Sequence, residues 1–486
     1  MYGEILSVIF FCLNIKMNII LESASPNTWV LSILQNSKLS YESEYETDQT
    51  ELKLFEKTYH KTTITIPLRK TKTTVIINDL KISIPAKNKN ISILSYNTNE
   101  NQTNNLWEAI EEQHISEPYD ITFGGGSQVW GDGVWETSVM KEFLSLSNED
   151  KVKCEFSDEM RKEVTAYYES LYSEFTSPLG IPAIYQIDEH EIWDGWGSNN
   201  EEIESCSVFV ETFRIAKQTY SLFQQHTTTP PSKPHNNIYI FNSTLLLSLD
   251  TRTERTQHQI IHSATLNNIK EEVTKIIKNQ KIKNIITYIP IPIVFPDMSN
   301  VDKLLDALPS DRDRNIESLI PAIKDNSKFG TYDHEDELLD SYSHPNHVEE
   351  TEVFLTFLNY LQSHITTDLI LLSGNQKMGG YGLITNEYSE ADTIQQWIAG
   401  SVSAKTLPYT IVEIIETFRT TNYHNWKTKI YDLISYNSVI SINISKIPKG
   451  KLIVINPKYE LMTIPLPNTK KEAIKIKSTH DRCCVM

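Results

Sequence analysis

Residues 184–198 read Ile184-Tyr185-Gln186-Ile187-Asp188-Glu189-His190-Glu191-Ile192-Trp193-Asp194-Gly195-Trp196-Gly197-Ser198, a short strand-like run that breaks into an acid–histidine–acid turn and then into glycines and tryptophans. Open α/β sheets carry their chemistry on loops at the carboxyl ends of buried strands, and this stretch has that form. If the strand continues through the turn, Asp188 and His190 share one side, because side chains alternate with a period of two, and both reach one cation. A solvated acidic turn is the plainer alternative. The flanking tryptophans and glycines favour a site.

Working outward, similar short runs occur at Ile91 to Leu94, Ile121 to Phe123, Leu245 to Leu249, Ile285 to Ile289 and Leu369 to Leu372, with helical patterns at Phe156 to Phe175 and Ser207 to Phe223 between them. That alternation predicts an α/β core. Three of the runs end in loops able to carry chemistry. Gly124-Gly125-Gly126-Ser127-Gln128-Val129-Trp130-Gly131-Asp132 and Ser373-Gly374-Asn375-Gln376-Lys377-Met378-Gly379-Gly380 are glycine-rich, which lets backbone approach a ligand or turn sharply. Leu249-Asp250-Thr251-Arg252-Thr253-Glu254-Arg255 delivers an aspartate and two arginines; the planar fork of Arg252 suits a phosphate, and an internal Asp–Arg or Glu–Arg pair suits it equally. Before this core, Trp29 to Pro85 alternates in β-branched strings such as Thr62 to Ile66, predicting a β-rich region of antiparallel strands; residues 439–462 predict a closing hairpin. The acidic run around Asp333 to Asp340 reads as a solvated face. The expected division is an apolar extension over 1–16, a β-rich domain over 17–88, the α/β domain over 89–462 and a basic tail over 463–486.

A net charge of −18 argues against nucleic-acid binding, since phosphate-backbone affinity needs a basic face and no arginine-rich segment supplies one. Five scattered cysteines, an odd number, fit a reducing compartment better than a disulfide scaffold. Ile5 to Ile15 is an apolar run of signal-peptide length, but Met1 to Leu6 holds Glu4 and no basic residue, and Asn14, Lys16 and Asn18 interrupt it short of a membrane span. An extension, a cleaved signal and a span stay open, the first being favoured.

From about Trp29 to Ile455 the chain resembles the PhoD-like phosphatases, through the Gly124 to Glu136 loop, Trp193 to Ser198, Leu222-Phe223-Gln224, Leu249 to Arg255, Pro290 to Pro296 and Leu339 to His347. The resemblance implies an α/β fold, an αββα metallophosphatase-like core preceded by a β-sandwich-like N-terminal domain, and metal-assisted hydrolysis of phosphate mono- or diesters. It also locates departures. Where the family has Ser-Cys-Asn with a ligating cysteine, this chain has Ser95-Tyr96-Asn97; the bridging aspartate of the glycine loop is Ser127, and the ligating tyrosine is Trp130. The family's Asp-Asp-His-Asp turn survives as Asp188-Glu189-His190-Glu191, but its late Gly-Asp-Val-His reads Gly374-Asn375-Gln376-Lys377.

Two cations about 3.5–4 Å apart need anionic bridging oxygens to offset their repulsion. Ser127 offers a neutral hydroxyl, Trp130 has no lone pair for a metal, and Lys377 repels a divalent ion. The expectation is therefore a lost two-metal centre, with Asn97, Asp132, Asp188, His190 and Asp194 left to hold no metal or one weakly bound divalent ion. Lys377 and Arg252 are candidate contacts for a phosphorylated or anionic small molecule. The functional expectation is a catalytically impaired binding or regulatory module; an active metal-dependent phosphoesterase built on Asp188 and His190 is the alternative, and a structural membrane-surface protein is a third.

After Pro467 the composition turns basic, and Cys483-Cys484-Val485-Met486 fits the prenylation pattern, with the terminal methionine favouring farnesyl on Cys483. That predicts a protein on the cytosolic face of a membrane, with protein partners unspecified.

Overall fold

The strand runs sort into two facing sheets in the computed structural model, which describes residues 17–466 apart from 296–339, most of 404–417, and short breaks at 39–43, 78–79, 98–104, 174, 200, 368, 376, 445–447 and 456–460. In chain order the strands are β1 (Ile19–Ala24), β2 (Thr28–Gln35), β3 (Glu46–Leu54), β4 (Lys57–Pro67), β5 (Thr73–Ile77), β6 (Leu80–Ile84), β7 (Ser92–Tyr96), β8 (Ile121–Gly124), β9 (Ala183–Tyr185) and β10 (Asn237–Phe241). They continue as β11 (Thr244–Ser248), β12 (Asn284–Ile289), β13 (Leu369–Gly374), β14 (Gly379–Asn386), β15 (Ser389–Ala399), β16 (Thr420–Tyr423), β17 (Trp426–Ile434), β18 (Ser438–Asn443), β19 (Lys449–Ile455) and β20 (Leu461–Pro465). The longer helices are α1 (Asn105–Ser116), α2 (Asp158–Leu171), α3 (Ser207–Gln225), α4 (Ser263–Asn279) and α5 (Val348–Gln362).

One sheet runs β20-β19-β18-β7-β8-β9-β1-β2-β4-β3 and the other β10-β11-β12-β13-β15-β14-β17-β16, with β5 and β6 as a separate hairpin. Each sheet has a parallel centre, β7-β8-β9 in the first and β11-β12-β13 in the second. Period-two alternation explains the layering. Ile370 and Leu372 face the cluster between the sheets beside Phe123, Ile286 and Trp397, while Leu369 and Leu371 face outward onto Ile269, Val273, Phe354 and Leu358 of α4 and α5. On the other sheet Ile93 points inward and Leu94 outward, against Leu106, Trp107 and Ile110 of α1. This is the αββα arrangement that the resemblance implies.

The N-terminal region is strand-built as its alternation indicates. Its strands are not a sheet apart, however. β1 pairs in parallel with β9 and antiparallel with β2, so β1, β2, β4 and β3 prolong the first sheet. Burial explains the junction: β1 shows an almost continuous apolar face (Ile19, Ile20 and Leu21, each at most 3% exposed), which suits an interior strand. Residues 1–16 and the tail from 467, including Cys483, lie outside the described residues. Among the described residues no helix is long and apolar enough to cross a membrane.

Helix ends follow their capping chemistry. Ser157 opens α2 by accepting from Met160 N–H, ahead of Asp158 and Glu159 in the first turn. α3 closes at His226, whose φ of 48° is left-handed and whose ring lies 2.8 Å from Ser32 Oγ and 3.3 Å from Asn18 Nδ2. Burial, assisted by Lys61, pushes the His226 imidazole down to about 3, and burial with Lys217 does the same to His235. Both take a proton near pH ~6.5 once unfolded. Their contribution is thus fully present above that pH and is lost as pH falls toward 3, by about 1.4 kcal/mol per pH unit for each ring. Urea midpoints should fall between pH 6.5 and 4, with a shallower fall in His226→Asn; an equal slope in both proteins would contradict this account.

Candidate active site

The carboxyl ends of the parallel strands meet at one end of the sandwich. Asn97, just after β7, donates from Nδ2 to the carbonyl of Gly125 after β8. It also packs against Gly374, at the end of β13, so closely that a Cβ there would collide with it. Tyr96 at the preceding position turns away instead, its ring edge-on to Trp107 on the outer face, so it takes no part in the site.

The loop after β8 is built on left-handed backbone, with φ of 107° at Gly126 and 54° at Ser127. A Cβ on Gly126 would strike the Cβ of Asp188, so glycine is required there twice over. Glu191 holds the loop in place. Its carboxylate accepts from the N–H groups of Ser127 (2.8 Å), Gln128 (2.6 Å) and Asp188 (2.9 Å), and burial pushes the carboxyl up to about 7 against those three donors.

The expected continuation of the strand after Ile184 fails. β9 ends at Tyr185, and Asp188 caps a 3-10 turn over Glu189–Glu191. The turn's three-residue period sends Asp188 and His190 apart. Asp188 goes to Arg252, whose Nε donates to its Oδ1 at 2.7 Å, while His190 places Nδ1 2.8 Å from Asp132 Oδ2. Trp130 stacks on the His190 ring with centroids 4.0 Å apart, and Asp194 N–H donates to Asp132 Oδ1. Burial works against charge on His190, but Asp132 outweighs it and holds the imidazole protonated well above its ordinary range; in turn His190 holds Asp132 low despite burial.

Arg252 departs from the sequence expectation as well. It was a candidate phosphate contact, yet its side chain is 1% exposed and its donors are taken by carboxylates: Nη1 and Nη2 reach Asp340 at 2.6 and 2.5 Å, and Nη2 lies 3.4 Å from Glu189. Arg255 adds Nε at 2.7 Å from Asp340 Oδ1. Burial opposes charge on both members, but the pairing holds Arg252 well above its ordinary value and lowers Asp340 below its own. The opposite balance holds at Glu189, where burial outweighs Arg252 and raises the carboxyl well up. Asp340, expected on a solvated acidic face, is 6% exposed and belongs to this network; residues 333–339 lie outside the described ones. Asn375 folds onto its own loop, its Oδ1 accepting from the N–H groups of Lys377 and Met378.

Two groups of ligand atoms therefore stand side by side. Glu189, His190 and Asp194 offer atoms all within 4.8 Å of one another, and suit one cation if the proton leaves His190 Nε2. Asp132 on Nδ1 would then fix the tautomer, as outer carboxylates do for metal-bound histidines. A two-ion centre does not fit. Ser127, at the position that the resemblance gives as bridging, offers a hydroxyl 3.5 Å from Asp188 Oδ2, and the other Asp188 oxygen is engaged by a guanidinium. Glu189 and Asp340 are the residues that sequence reasoning passed over. Glu189 stood inside the quoted turn; Asp340 carried no local signal, since its partner lies 88 residues away.

Residues 88–319 match the sequence profile of a family described as PhoD related phosphatase. The uncharacterized protein YGR266W of Saccharomyces cerevisiae is 22% identical over 369 residues, 62% of this chain and 51% of that protein, so the chain spans about half the length of the curated relative it matches. Among solved structures, purple acid phosphatase PPD1 from yellow lupin (Lupinus luteus) seeds is similar with a TM-score of 0.47 and 10% identity, covering 94% of this chain and 75% of that one. A dimetal phosphatase from Danio rerio is similar with a TM-score of 0.33 and 10% identity, covering 78% and 99%. Over residues 88–319, somewhat less than half of its length, the chain is thus similar to the PhoD-related phosphatases.

Proposed function

We propose that the chain is a catalytically impaired PhoD-related protein that acts as a binding or regulatory module at a cytosol-facing membrane surface. The observation that carries the impaired reading is the Arg252 guanidinium lodged among Asp188, Glu189 and Asp340, with Ser127 and Trp130 at positions where the family's metals need oxygen ligands. Arg252 is thereby withdrawn from substrate, since a guanidinium saturated by carboxylates has no fork left for a phosphate.

At most one divalent ion belongs to this reading, on Glu189, His190 and Asp194. Such an ion would supply Lewis-acid polarisation of a phosphoryl oxygen. That trio is also what favours the second reading, a phosphoesterase with a reduced metal set. The two separate in an assay of the purified chain on generic phosphate mono- and diesters with common divalent ions. The impaired protein should turn over far below about 1 per second, a typical lower bound for enzymes. Turnover at or above that rate, abolished by His190→Ala, would establish the second reading.

The membrane part of this reading rests on Cys483 in the stretch Cys483-Cys484-Val485-Met486, which fits the prenylation pattern. One lipid chain gives marginal attachment, and Lys470, Lys471, Lys475, Lys477 and Arg482 supply a second signal of about 1 kcal/mol each near an anionic leaflet. Cys483→Ser should move the protein from membrane to soluble fractions. Unchanged fractionation would refer any anchor to the apolar segment Ile5 to Ile15.

A further inference from the structure

We infer that the end of the sandwich opposite the candidate site is a membrane-facing surface, a lysine patch that seats against an anionic lipid leaflet. This rests on the membrane part of the proposed function and names the face of the protein that meets the bilayer.

Segments of both sheets build the patch. From Val273 to Pro296 the sequence holds Lys275, Lys278, Lys281 and Lys283 and no acidic residue, and these lysines run from the last turns of α4 to the start of β12. Lys283 N–H donates to the Ser243 carbonyl at 2.8 Å, in the turn between β10 and β11. The adjoining Asn242 donates from Nδ2 to the Lys89 carbonyl at 2.9 Å, just ahead of β7. Across the first sheet the ladder continues from Ser92 to Asn443 to Lys449, with Lys451 two residues along β19. All of these lysines are exposed, and none forms an ion pair with a described residue. Glu111, Glu112 and Glu117, late in α1 and just after it, offset part of the charge beside β7, while Asp120 turns inward and accepts from Ser92 N–H.

The chain also leaves the described body at this end. Pro465 pairs with Lys451 and Leu466 N–H donates to the Gly450 carbonyl at 2.9 Å, after which the sequence brings Lys470, Lys471, Lys475 and Lys477. At physiological salt a charge is felt over about 8 Å, so a leaflet responds to the end that touches it more than to the net charge of −18. The cations of the patch are lysines throughout. Compact ammonium charges suit a diffuse anionic surface, whereas the planar fork that grips bases and single phosphates belongs to arginine.

Lys89 and Lys283 precede the parallel strands β7 and β12, and the candidate site lies at the opposite, carboxyl ends of these arrays. Seating by the lysine end therefore holds the site about 20 Å from the leaflet, the length of a six-residue strand such as β12. The site then meets soluble phosphorylated molecules and not lipid headgroups.

The test is co-sedimentation of the full chain, made in bacteria and so unprenylated, with phosphatidylcholine vesicles that contain or lack phosphatidylserine, at low salt. Wild type should prefer the phosphatidylserine vesicles. Lys275→Gln/Lys278→Gln/Lys281→Gln/Lys283→Gln should bind them about tenfold or more weakly, because each basic group near an anionic leaflet strengthens attachment. Lys449→Gln/Lys451→Gln, on another segment of the patch, should also weaken binding. Lys141→Gln/Lys153→Gln/Lys162→Gln/Lys233→Gln changes net charge as much as the first variant, on segments that follow β8 or adjoin the carboxyl end of β11, and should bind as wild type does. Every substitution is at an exposed position and the tail is intact in all variants, so the differences belong to the body. The inference is overturned if wild type does not distinguish the vesicles, if both patch variants bind as wild type does, if the control variant weakens binding as much, or if duplex DNA outcompetes the vesicles. Cys483→Ser is silent in this assay. Its fractionation in cells decides the lipid anchor separately, so a failed anchor leaves the vesicle ratios to decide the patch.

Discussion

Lys217→Ala is expected to destabilise the protein by about 3–5 kcal/mol, the cost of breaking a buried ion pair from one side. The Lys217 and Asp250 side chains are both fully buried, with Nζ 2.8 Å from Oδ2, and the ammonium also donates to Thr253 Oγ1. Burial draws the lysine down even beside its partner, while the lysine holds Asp250 below the ordinary carboxylate range against its own burial. Asp250 further accepts from the N–H groups of His235, Arg252 and Thr253, so one carboxylate joins α3, the loop before β10 and the turn that aims Arg252. Truncating the lysine leaves that carboxylate charged, dry and without its cation. Urea unfolding should show the loss directly, and Lys217→Met/Asp250→Asn should recover part of it, since removing both charges avoids an orphan. A single variant within about 1 kcal/mol of wild type would mean that water or a neighbour replaces the lysine, and the pair would not be a fastening of the fold.

Glu191→Ala carries the second large expected effect, about 3 kcal/mol or more. Three backbone N–H groups lose their acceptor, and each buried unsatisfied donor costs about 1–3 kcal/mol before relaxation. Two of them, on Ser127 and Gln128, belong to the left-handed loop after β8, whose other fastenings act chiefly on the Gly125 and Gly126 carbonyls. The third is on Asp188, so the same change loosens the Arg252 network. Trp130 reports the damage, because it stacks on His190 only while the loop keeps its place. Glu191→Ala should shift tryptophan fluorescence together with the melting temperature, and Glu191→Gln, which keeps one acceptor oxygen, should fall between. An alanine variant with native stability would show that the clasp is replaceable.

Much of the architecture was legible because its signals are local. A strand buried on both faces is apolar at every position, as in Leu369 to Leu372, and a strand end crowded by neighbouring side chains needs glycines, as in Gly124 to Gly126. The family resemblance followed from the same motifs; that Ser127 and Trp130 stand at ligand positions is what the resemblance implies, and side-chain chemistry adds that neither offers an anionic oxygen.

The pairing of charges could not be read that way. Asp188 and His190 were expected on one side on the condition that the strand ran on through the turn, whereas it ends at Tyr185; whether a chain leaves a strand for a 3-10 turn depends on which acceptor captures its next N–H, here the Glu191 side chain on Asp188. Arg252 looked equally suited to a phosphate or a carboxylate; Asp340, 88 residues along, decided it. The sequence by itself determined the strands and the glycine loops, since each depends on the residue and its near neighbours. Only the tertiary structure decided that the N-terminal strands join the main sheet and that Arg252 pairs with Asp188 and Asp340, because edge pairing and buried charge balance are settled between segments that the chain keeps far apart and folding brings within hydrogen-bond reach.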